Sequence, residues 1–450
     1  MLRVDSRKVT PGDTFLALNN LVTDGHDYVQ KAIDNGAVCV IAERGEYNVK
    51  TIIVKDTRKY LSDYLKDLYS HKLKDIKFVG ITGTNGKTTS CFLIYQILNK
   101  LGEKAAYIGT IGFYLDGEIK ELNNTTPDIY DLYEMFVEAA DKGVKVIAME
   151  VSSQAIAAGR IFGLSFDIVG FTNLTQDHLD FHKTMTNYLN EKVKLFKQTK
   201  GPKLAIVNND DKYSSEFLMG TNKNITYGLK KADYTVENFD LELTESHISL
   251  KQEDMTYGIT VPFPGKYNIY NYLLAFITVT SLGFTKEEVI AVTSELKAPT
   301  GRSDIFKHKG AAIIVDYAHT PDAVKNVIDS VLEYRKGRVI TLLGCGGDRD
   351  RTKRPKMGAI ATNESDKVFF TNDNPRTEDE KVIMDDIIAG ATKENYEIIH
   401  DRKEAILKAI SELEENDILL ILGKGHEDYQ IIGTEKIHLS DIEIVEKAIK

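Results

Sequence analysis

The sequence predicts an α/β protein of about three domains, because its 450 residues exceed the roughly 100 to 200 residues of one common domain. Short apolar runs alternate with longer helical patterns almost throughout, which is typical of parallel sheets covered by helices. Nearly every run ends in polar or glycine residues. Ligands of open α/β sheets bind beyond the carboxyl ends of the strands, so we expect two sheets that face one shared cleft.

Two breaks in this alternation divide the chain. A lysine-rich polar stretch lies at Lys72–Lys77, and a second break at Lys297–Gly301 separates two series of apolar runs. We therefore expect domains at 1–75, 76–299 and 300–450. The runs predicted as strands are Phe78–Thr82, Val144–Met149, Phe166–Phe171 and Leu204–Val207 in the second domain, and Ala312–Val315, Val339–Leu343, Val368–Thr371 and Ile418–Leu422 in the third.

Composition excludes several classes of protein. With 42% hydrophobic and 28% charged residues the chain reads as globular, and a net charge of -10 without a basic block argues against a nucleic-acid partner. Residues 1–7 lack the pattern of a secretion signal, and no apolar run is long enough to cross a membrane. We expect a cytoplasmic protein without membrane insertion, and a monomer, although no pattern fixes the oligomeric state. The 3 cysteines fit neither a disulfide framework nor a zinc site.

The segment Thr82–Thr89 predicts a loop that binds phosphates. It follows an apolar run and precedes a helical pattern with apolar residues from Leu93 to Leu101. Its glycines let backbone N–H groups approach phosphate oxygens, Lys87 supplies charge, and the Thr88 hydroxyl can coordinate magnesium. The strict pattern has glycine where this chain has Ile81, so a chance glycine turn is the alternative.

Three residues downstream are candidates for the same site. Glu150 ends a predicted strand, from where its carboxylate could reach a metal beside the loop. His178 lies in a polar segment after the next strand, and Lys192 lies on a predicted helix. A lone histidine more often has a structural role, and a lone helix lysine is usually solvated, so each residue alone has an ordinary explanation.

Six motifs in one order resemble those of the Mur ligases of cell-wall peptidoglycan synthesis, closest to the MurE type. The match spans nearly the whole chain. The motifs are Thr82–Thr89, Glu150–Ser153, Asn173–His178, Tyr188–Lys192, Asp316–Asp322 and Asp373–Arg376. The resemblance implies a nucleotide-sugar-binding amino-terminal domain, a central P-loop ATPase-like domain with a parallel sheet, and a Rossmann-like carboxy-terminal domain.

The resemblance also implies an activity and its partners: an ATP-dependent ligase that joins an amino acid to UDP-N-acetylmuramoyl-L-alanyl-D-glutamate through an acyl-phosphate. The residues that would bind ATP are Gly83, Thr84, Asn85, Gly86, Lys87, Thr88, Thr89, Asn268, Asn271, Arg302, Asp316, Tyr317 and His319. The residues that would bind the UDP substrate are Ser6, Arg7, Thr125, Thr126, Ser152 and Arg160. For the motif Thr125-Thr126-Pro127-Asp128 the structural alternative is a helix amino-terminal cap, a role that is compatible with binding.

By the same resemblance, Thr88, Glu150, His178 and a carbamylated Lys192 would hold two Mg²⁺ ions, and Lys87, Glu150, His178 and Lys192 would be catalytic. Carbamylation turns a lysine cation into an anionic oxygen ligand. Such a site would neutralise the γ-phosphate of ATP.

The motif Asp373-Asn374-Pro375-Arg376 resembles the version that selects meso-diaminopimelate, because its arginine would grip the distal carboxylate that L-lysine lacks. A type I turn is the structural alternative. The residues implied for this pocket are Arg354, Asp373, Asn374, Pro375, Arg376, Gly423 and Glu427. L-lysine remains the alternative amino acid.

Departures from the pattern keep a second class of function open. The motif Asp5-Ser6-Arg7 lies almost at the first residue, where relatives usually carry further elements, which predicts an incomplete or remodelled uridine pocket. Gln154 stands where many relatives have histidine, and His438 where an aromatic residue is common. The alternative is a non-catalytic nucleotide-binding paralogue. A folylpolyglutamate synthase shares the phosphate loop, but the motifs at 125–128 and 373–376 favour the muramyl branch.

Overall fold

The computed structural model describes residues 1–19, 23–197, 201–220 and 223–450. Within these ranges the chain forms three sheets in sequence order, of four, eleven and six strands, and one two-stranded ribbon. The α/β class predicted from the sequence is confirmed, and the eight apolar runs predicted as strands all coincide with strands. Across the same ranges every helix is too short or too polar to span a bilayer.

The first sheet is small and wholly parallel, in the order β1-β2-β3-β4. A helix capped by Asp56 follows it and leads into the central unit. The elements are β1 (Leu2–Arg3), β2 (Thr14–Leu16), α1 (Val29–Asp34), β3 (Cys39–Ala42), β4 (Lys50–Ile53) and α2 (Thr57–Leu73).

The central unit is built on an eleven-stranded sheet of described residues, in the order β15-β14-β13-β12-β11-β10-β5-β9-β6-β7-β8. Its strands are β5 (Lys77–Thr82), β6 (Ala105–Gly109), β7 (Gly112–Leu115), β8 (Glu118–Lys120), β9 (Val146–Glu150), β10 (Ile168–Phe171), β11 (Leu204–Asn208), β12 (Lys223–Gly228), β13 (Tyr234–Leu241), β14 (Ser246–Gln252) and β15 (Met255–Val261). Its helices are α3 (Lys87–Lys100), α4 (Ile129–Asp141), α5 (Ser153–Ala157), α6 (Leu179–His182), α7 (Met185–Val193), α8 (Lys266–Ser281) and α9 (Lys286–Thr293).

The middle of this sheet is parallel, and β5 lies between β9 and β10. Helices α3 and α8 pack on one face through residues such as Leu93 and Leu273, and α4 packs on the other through Phe136. Parallel strands with both faces covered read as continuous apolar runs, which explains why these strands were visible in the sequence.

The third sheet has the order β16-β17-β21-β18-β19-β20, and all its pairs are parallel except β16 with β17. Helices α10 to α12 pack on one face and α13 and α14 on the other, as in doubly wound folds. The elements are β16 (Asp304–His308), β17 (Ala311–Asp316), α10 (Pro321–Leu332), β18 (Val339–Leu343), α11 (Arg354–Glu364), β19 (Lys367–Phe370), α12 (Glu380–Ile388), β20 (Tyr396–Ile398), α13 (Arg402–Ser411), β21 (Ile418–Leu422), β22 (Tyr429–Ile432), β23 (Glu435–His438) and α14 (Asp441–Ala448).

The carboxyl ends of the second and third sheets meet, as the sequence predicted. The Asn85 amide donates to Asp322 (3.2 Å), and the Arg302 guanidinium donates to the Thr88 hydroxyl (3.3 Å). The cleft between the two sheets is where the candidate site lies.

Candidate active site

The phosphate loop is formed between β5 and α3 and needs its glycines. Gly83 has φ 151°, and a Cβ there would lie 1.8 Å from the Thr172 hydroxyl oxygen. Gly86, at φ 86°, would place a Cβ 2.2 Å from the side-chain oxygen of Asn271. Only glycine fits at both positions. The Lys87 ammonium folds back onto the loop and donates to the carbonyls of Gly83 (3.0 Å) and Thr84 (2.8 Å).

Glu150 is fully buried beside the first turn of α3. Its carboxylate accepts from the Tyr107 hydroxyl (2.6 Å), the Thr110 backbone N–H (2.8 Å) and the Thr88 hydroxyl (3.0 Å). A buried carboxylate next to a threonine hydroxyl is an oxygen donor set that suits Mg²⁺. The residues present therefore fit the metal that the phosphate loop implies.

Lys192 and His178 lie on the other side of the loop. The Lys192 ammonium is buried and donates to the Gly83 carbonyl (2.7 Å). Burial, with the neighbouring charge of Lys87, holds the pKa of Lys192 well below its usual value. His178 has φ 53°, and burial lowers its pKa to about 4, so its ring is neutral and can act as a ligand.

Most of the residues expected to bind ATP line one cavity of about 390 Å³ between the two sheets. The Arg302 guanidinium lies over the Tyr317 ring, 4.5 Å from its centroid. His319 packs against the same ring and faces Asp177 at 3.7 Å. The expected residues among the cavity's lining are Asn85, Gly86, Thr89, Asn268, Asn271, Arg302, Asp316 and Tyr317.

Four residues expected to bind the UDP substrate form one network next to Glu150. The Thr126 hydroxyl donates to the Glu150 carbonyl (2.8 Å) and accepts from the Ser152 backbone N–H (3.1 Å). The Arg160 guanidinium donates to the Thr126 carbonyl (3.2 Å), and the Thr125 hydroxyl lies 3.0 Å from that of Thr110. The motif Thr125–Asp128 also caps a helix, as the structural alternative held, since Asp128 is the amino-terminal cap of α4.

Ser6 and Arg7 lie apart from that network, in a short 3₁₀ helix of the first unit. Arg7 lines a second cavity of about 690 Å³ together with Asn124 and Pro127, and its guanidinium pairs with Asp5 (2.8 Å). The Ser6 side chain is buried.

The motif at 373–376 ends in a residue with unusual backbone geometry. Arg376 has φ 54°, whereas the third residue of a type I turn has φ near -90°, so the type I turn alternative is wrong. The Arg376 guanidinium is half-exposed and donates to the Gly347 carbonyl (2.8 Å). The Asn374 amide donates to Glu427 (2.9 Å), whose carboxylate also accepts from the Tyr317 hydroxyl (3.3 Å).

Arg354, expected in the same pocket, has a different environment. Its guanidinium is fully buried and donates to both carboxylate oxygens of Glu378 (2.9 Å each) and to Asp386 (2.9 Å). These two acids already accept the N–H groups of Arg354 that a substrate carboxylate would need. Both arginines were expected to bind a substrate carboxylate, but the guanidinium of Arg354 is already paired with two acids of the protein.

Several residues at the site were missed by sequence reasoning. Tyr107 fixes Glu150, and Lys353 pairs across the cleft with Asp177 (3.5 Å). Tyr107 and Lys353 are both buried, and Asp177 belongs to the motif Asn173–His178 that the sequence did display. Lys424 is fully buried between Asn374 and Glu427 (3.4 Å each). Lys424 stands between two glycines at a strand end, which was a usable signal, whereas Lys353 lies in an ordinary charged run.

Three family models match successive parts of the chain. The Mur ligase family, catalytic domain, matches residues 1–69, the Mur ligase middle domain matches 81–279, and the Mur ligase, glutamate ligase domain, matches 301–425. The chain is 42% identical, over 100% of its length and 95% of the relative, to a Clostridium botulinum protein named UDP-N-acetylmuramoyl-L-alanyl-D-glutamate--2,6-diaminopimelate ligase.

A relative with the same name in Bacillus cereus is 40% identical over 100% of this chain and 93% of its own. A solved structure of a ligase with that name superposes with a TM-score of 0.73 at 30% identity, and covers 100% of this chain and 94% of that one. The fold and the phosphate-loop site define an ATP-dependent amide ligase. The chain belongs to the Mur ligase family.

Proposed function

We propose that this chain adds meso-diaminopimelate to UDP-N-acetylmuramoyl-L-alanyl-D-glutamate, with ATP as the energy source, in peptidoglycan synthesis. One observation carries the proposal: Tyr317 lines the nucleotide cavity, and its hydroxyl donates to Glu427 in the cluster with Asn374 and near Arg376. The proposed ATP and amino-acid sites would therefore be neighbours on the same unit.

The reaction has two steps. A carboxylate oxygen of the acceptor attacks the γ-phosphorus of ATP, which forms an acyl-phosphate and releases ADP. The amine nitrogen of the amino acid then bonds to the acyl carbon, loses a proton and displaces phosphate. Catalysis of phosphoryl transfer is mostly positioning and charge neutralisation, and we assign those tasks to Lys87 and the loop N–H groups of residues 83–89.

Thr88, Glu150, His178 and Lys192 are the residues that would hold Mg²⁺. When bound, the metal would neutralise charge on the phosphates. We propose that Lys192 carries a carbamate, because carbon dioxide reacts with a neutral amine and burial lowers the pKa of Lys192. The carbamate would then place anionic oxygens, which can bind a metal, where the unmodified Lys192 would carry a positive charge.

For the acceptor, we assign Thr125, Thr126, Ser152 and Arg160 to the diphosphate and sugar, since they adjoin Glu150. Ser6 and Arg7 would contact the uridine, and of the two Arg7 lines the second cavity. For the amino acid, we assign the distal carboxylate to Arg376, and Asp373, Asn374, Pro375, Gly423 and Glu427 to the rest of the pocket. Arg354 would contact the substrate only after the Glu378 carboxylate leaves the Arg354 guanidinium.

The test is product formation. The protein is incubated with ATP, Mg²⁺ and the UDP-muramoyl dipeptide, and phosphate release and product mass are compared between meso-diaminopimelate and L-lysine. Product with meso-diaminopimelate alone supports the proposal. Product with L-lysine alone keeps the ligase and discards the clamp, and no product with either favours the non-catalytic paralogue.

We further propose that the protein works as a cytoplasmic monomer with domains at 1–75, 76–299 and 300–450. Light scattering would test the monomer, and limited proteolysis would test the boundaries, since linkers between domains are cut first. Fractionation of cells that express the chain would test the location.

A further inference from the structure

The third unit contains a fully buried ion pair with no access to the cleft. Arg402 begins α13 and Asp441 begins α14, and both side chains are completely buried. The guanidinium donates to both carboxylate oxygens, Nε to Oδ1 (2.8 Å) and Nη2 to Oδ2 (2.7 Å). Because it is buried, Arg402 does not itself touch a substrate.

The remaining donors of Arg402 reach two backbone carbonyls. Nη2 donates to the Leu422 carbonyl (3.0 Å), and Nη1 lies 3.5 Å from the Asn372 carbonyl. Leu422 is the last residue of β21 and directly precedes Gly423, while Asn372 directly precedes Asp373. One guanidinium thus links the starts of the two loops that hold the proposed amino-acid site.

Stability alone does not explain this pair. Removing two charges from water costs several kcal/mol per ion, and replacing a buried pair with apolar residues is often neutral or stabilising. The planar fork of arginine, however, fixes direction as well as charge. These contacts fit a role in which Arg402 fixes the position of the two loops relative to each other.

We propose that Arg402, held by Asp441, is a positioning residue that sets the distance between the loops Asp373–Arg376 and Gly423–Glu427, and thereby the fit of the amino-acid substrate. This inference rests on the proposed function. The two loops contain none of the residues proposed for ATP or the UDP acceptor, and the Tyr317 hydroxyl of the proposed ATP site touches them through Glu427 (3.3 Å).

The chain offers a control at the opposite end of β21, where a second arginine–aspartate pair with a partly exposed arginine lies. Arg338 precedes β18 and Asp417 precedes β21, and the guanidinium of Arg338 donates to both oxygens of Asp417 and to the Glu412 carbonyl (2.8 Å). This pair joins strands at the edge away from the cleft. A change in it perturbs the same sheet without reaching the two loops.

The experiment compares Arg402→Lys with Arg338→Lys in the full chain. Lysine keeps the charge but lacks the fork, so Arg402→Lys should raise the KM for meso-diaminopimelate about tenfold or more, as small misplacements of a site do. The KM for the UDP-muramoyl dipeptide should stay unchanged, the KM for ATP should rise less than that for meso-diaminopimelate because only Glu427 of the two loops bonds Tyr317, and Arg338→Lys should change none of the three. An unchanged KM for meso-diaminopimelate, or an equal rise in all three, overturns the proposal.

A second variant and a second readout keep the test decisive. If Arg402→Lys does not fold, Arg402→Met/Asp441→Leu removes both charges together and should show the same selective rise in KM. Amide hydrogen exchange needs no turnover: exchange in 372–376 and 423–427 should be faster in the Arg402 variants than in Arg338→Lys. Equal exchange overturns the inference. A wild-type protein without activity overturns the proposed function, while exchange still decides the positioning role.

Discussion

Replacing Arg376 with alanine should weaken the preference for meso-diaminopimelate over L-lysine. The guanidinium of Arg376 donates through Nη1 to the carbonyls of Gly347 (2.8 Å) and Asn374 (3.5 Å). An arginine has five N–H donors, so this arrangement leaves donors for a carboxylate. L-lysine lacks the distal carboxylate, and its reaction should not depend on this side chain.

The magnitude follows from the exposure of the group. A hydrogen bond to a charged partner contributes about 1.5 to 3 kcal/mol, but Arg376 is half-exposed and solvent screens the pair. We therefore expect kcat/KM for meso-diaminopimelate to fall by roughly 10- to 30-fold, the lower part of that range. Stability should fall by no more than about 1 kcal/mol, because the lost bonds to carbonyls are near the surface.

The assay is steady-state phosphate release with each amino acid, and Arg349→Ala is the control. Arg349 is an exposed arginine close by whose guanidinium donates to the Asp348 carbonyl (3.0 Å). Arg376→Lys should fall between the wild type and Arg376→Ala, because a lysine keeps the charge without the fork. The clamp is refuted if Arg376→Ala reduces the reactions of both amino acids equally, or if Arg349→Ala changes the preference as much.

Three further predictions concern other residues. Glu150→Gln should reduce phosphate release roughly 100-fold or more at saturating Mg²⁺. The free energy of unfolding should change by about 1 to 2 kcal/mol at most, since Tyr107 can still donate to the amide oxygen. A loss of phosphate release that is fully explained by unfolding of the variant would contradict the metal role. Lys192→Ala should lose turnover and regain part of it with a short carboxylic acid but not with bicarbonate, whereas recovery with bicarbonate would exclude the carbamate. Burial raises the pKa of Asp304 to about 6, above its ordinary 3.8. The contribution of Asp304 to stability is therefore complete below pH 3.8 and is lost as the pH rises through 6. Asp304→Asn should raise the melting temperature by more at pH 8 than at pH 4, and an equal rise in melting temperature at the two pH values would contradict the shift.

The strands and the phosphate loop could be predicted because their signals are local. A buried parallel strand needs apolar residues on both faces, and β5, β9 and β21 are buried on both faces over most or all of their length. The loop at 83–89 needs glycine at two fixed positions, where a Cβ would clash. Such requirements act within a few residues, so the sequence alone displays them.

The environment of a charged side chain could not be predicted in this way. Arg354 and Arg376 both resemble carboxylate-binding residues, but the Arg354 guanidinium is paired with Glu378 and Asp386, which lie 24 and 32 residues further along the chain. These acids approach it only when α11 and α12 pack. Lys353, beside Arg354, likewise meets Asp177 only across the cleft. Pairing between distant segments decides which cations stay available.

Two lysine side chains bring positive charge to the phosphate loop, and this charge bears on the chemistry of the site. The protein is acidic overall, at -10, but the ammonium groups of Lys87 and Lys192 both contact the Gly83 carbonyl, and burial lowers the pKa of each. Two cations on one carbonyl in a buried loop are costly unless an anion arrives or one of them is neutralised. The phosphates of ATP would supply the anion beside Lys87, and a carbamate would remove the cation from Lys192. The same loop thus has a physical reason to need both the nucleotide and the modified lysine.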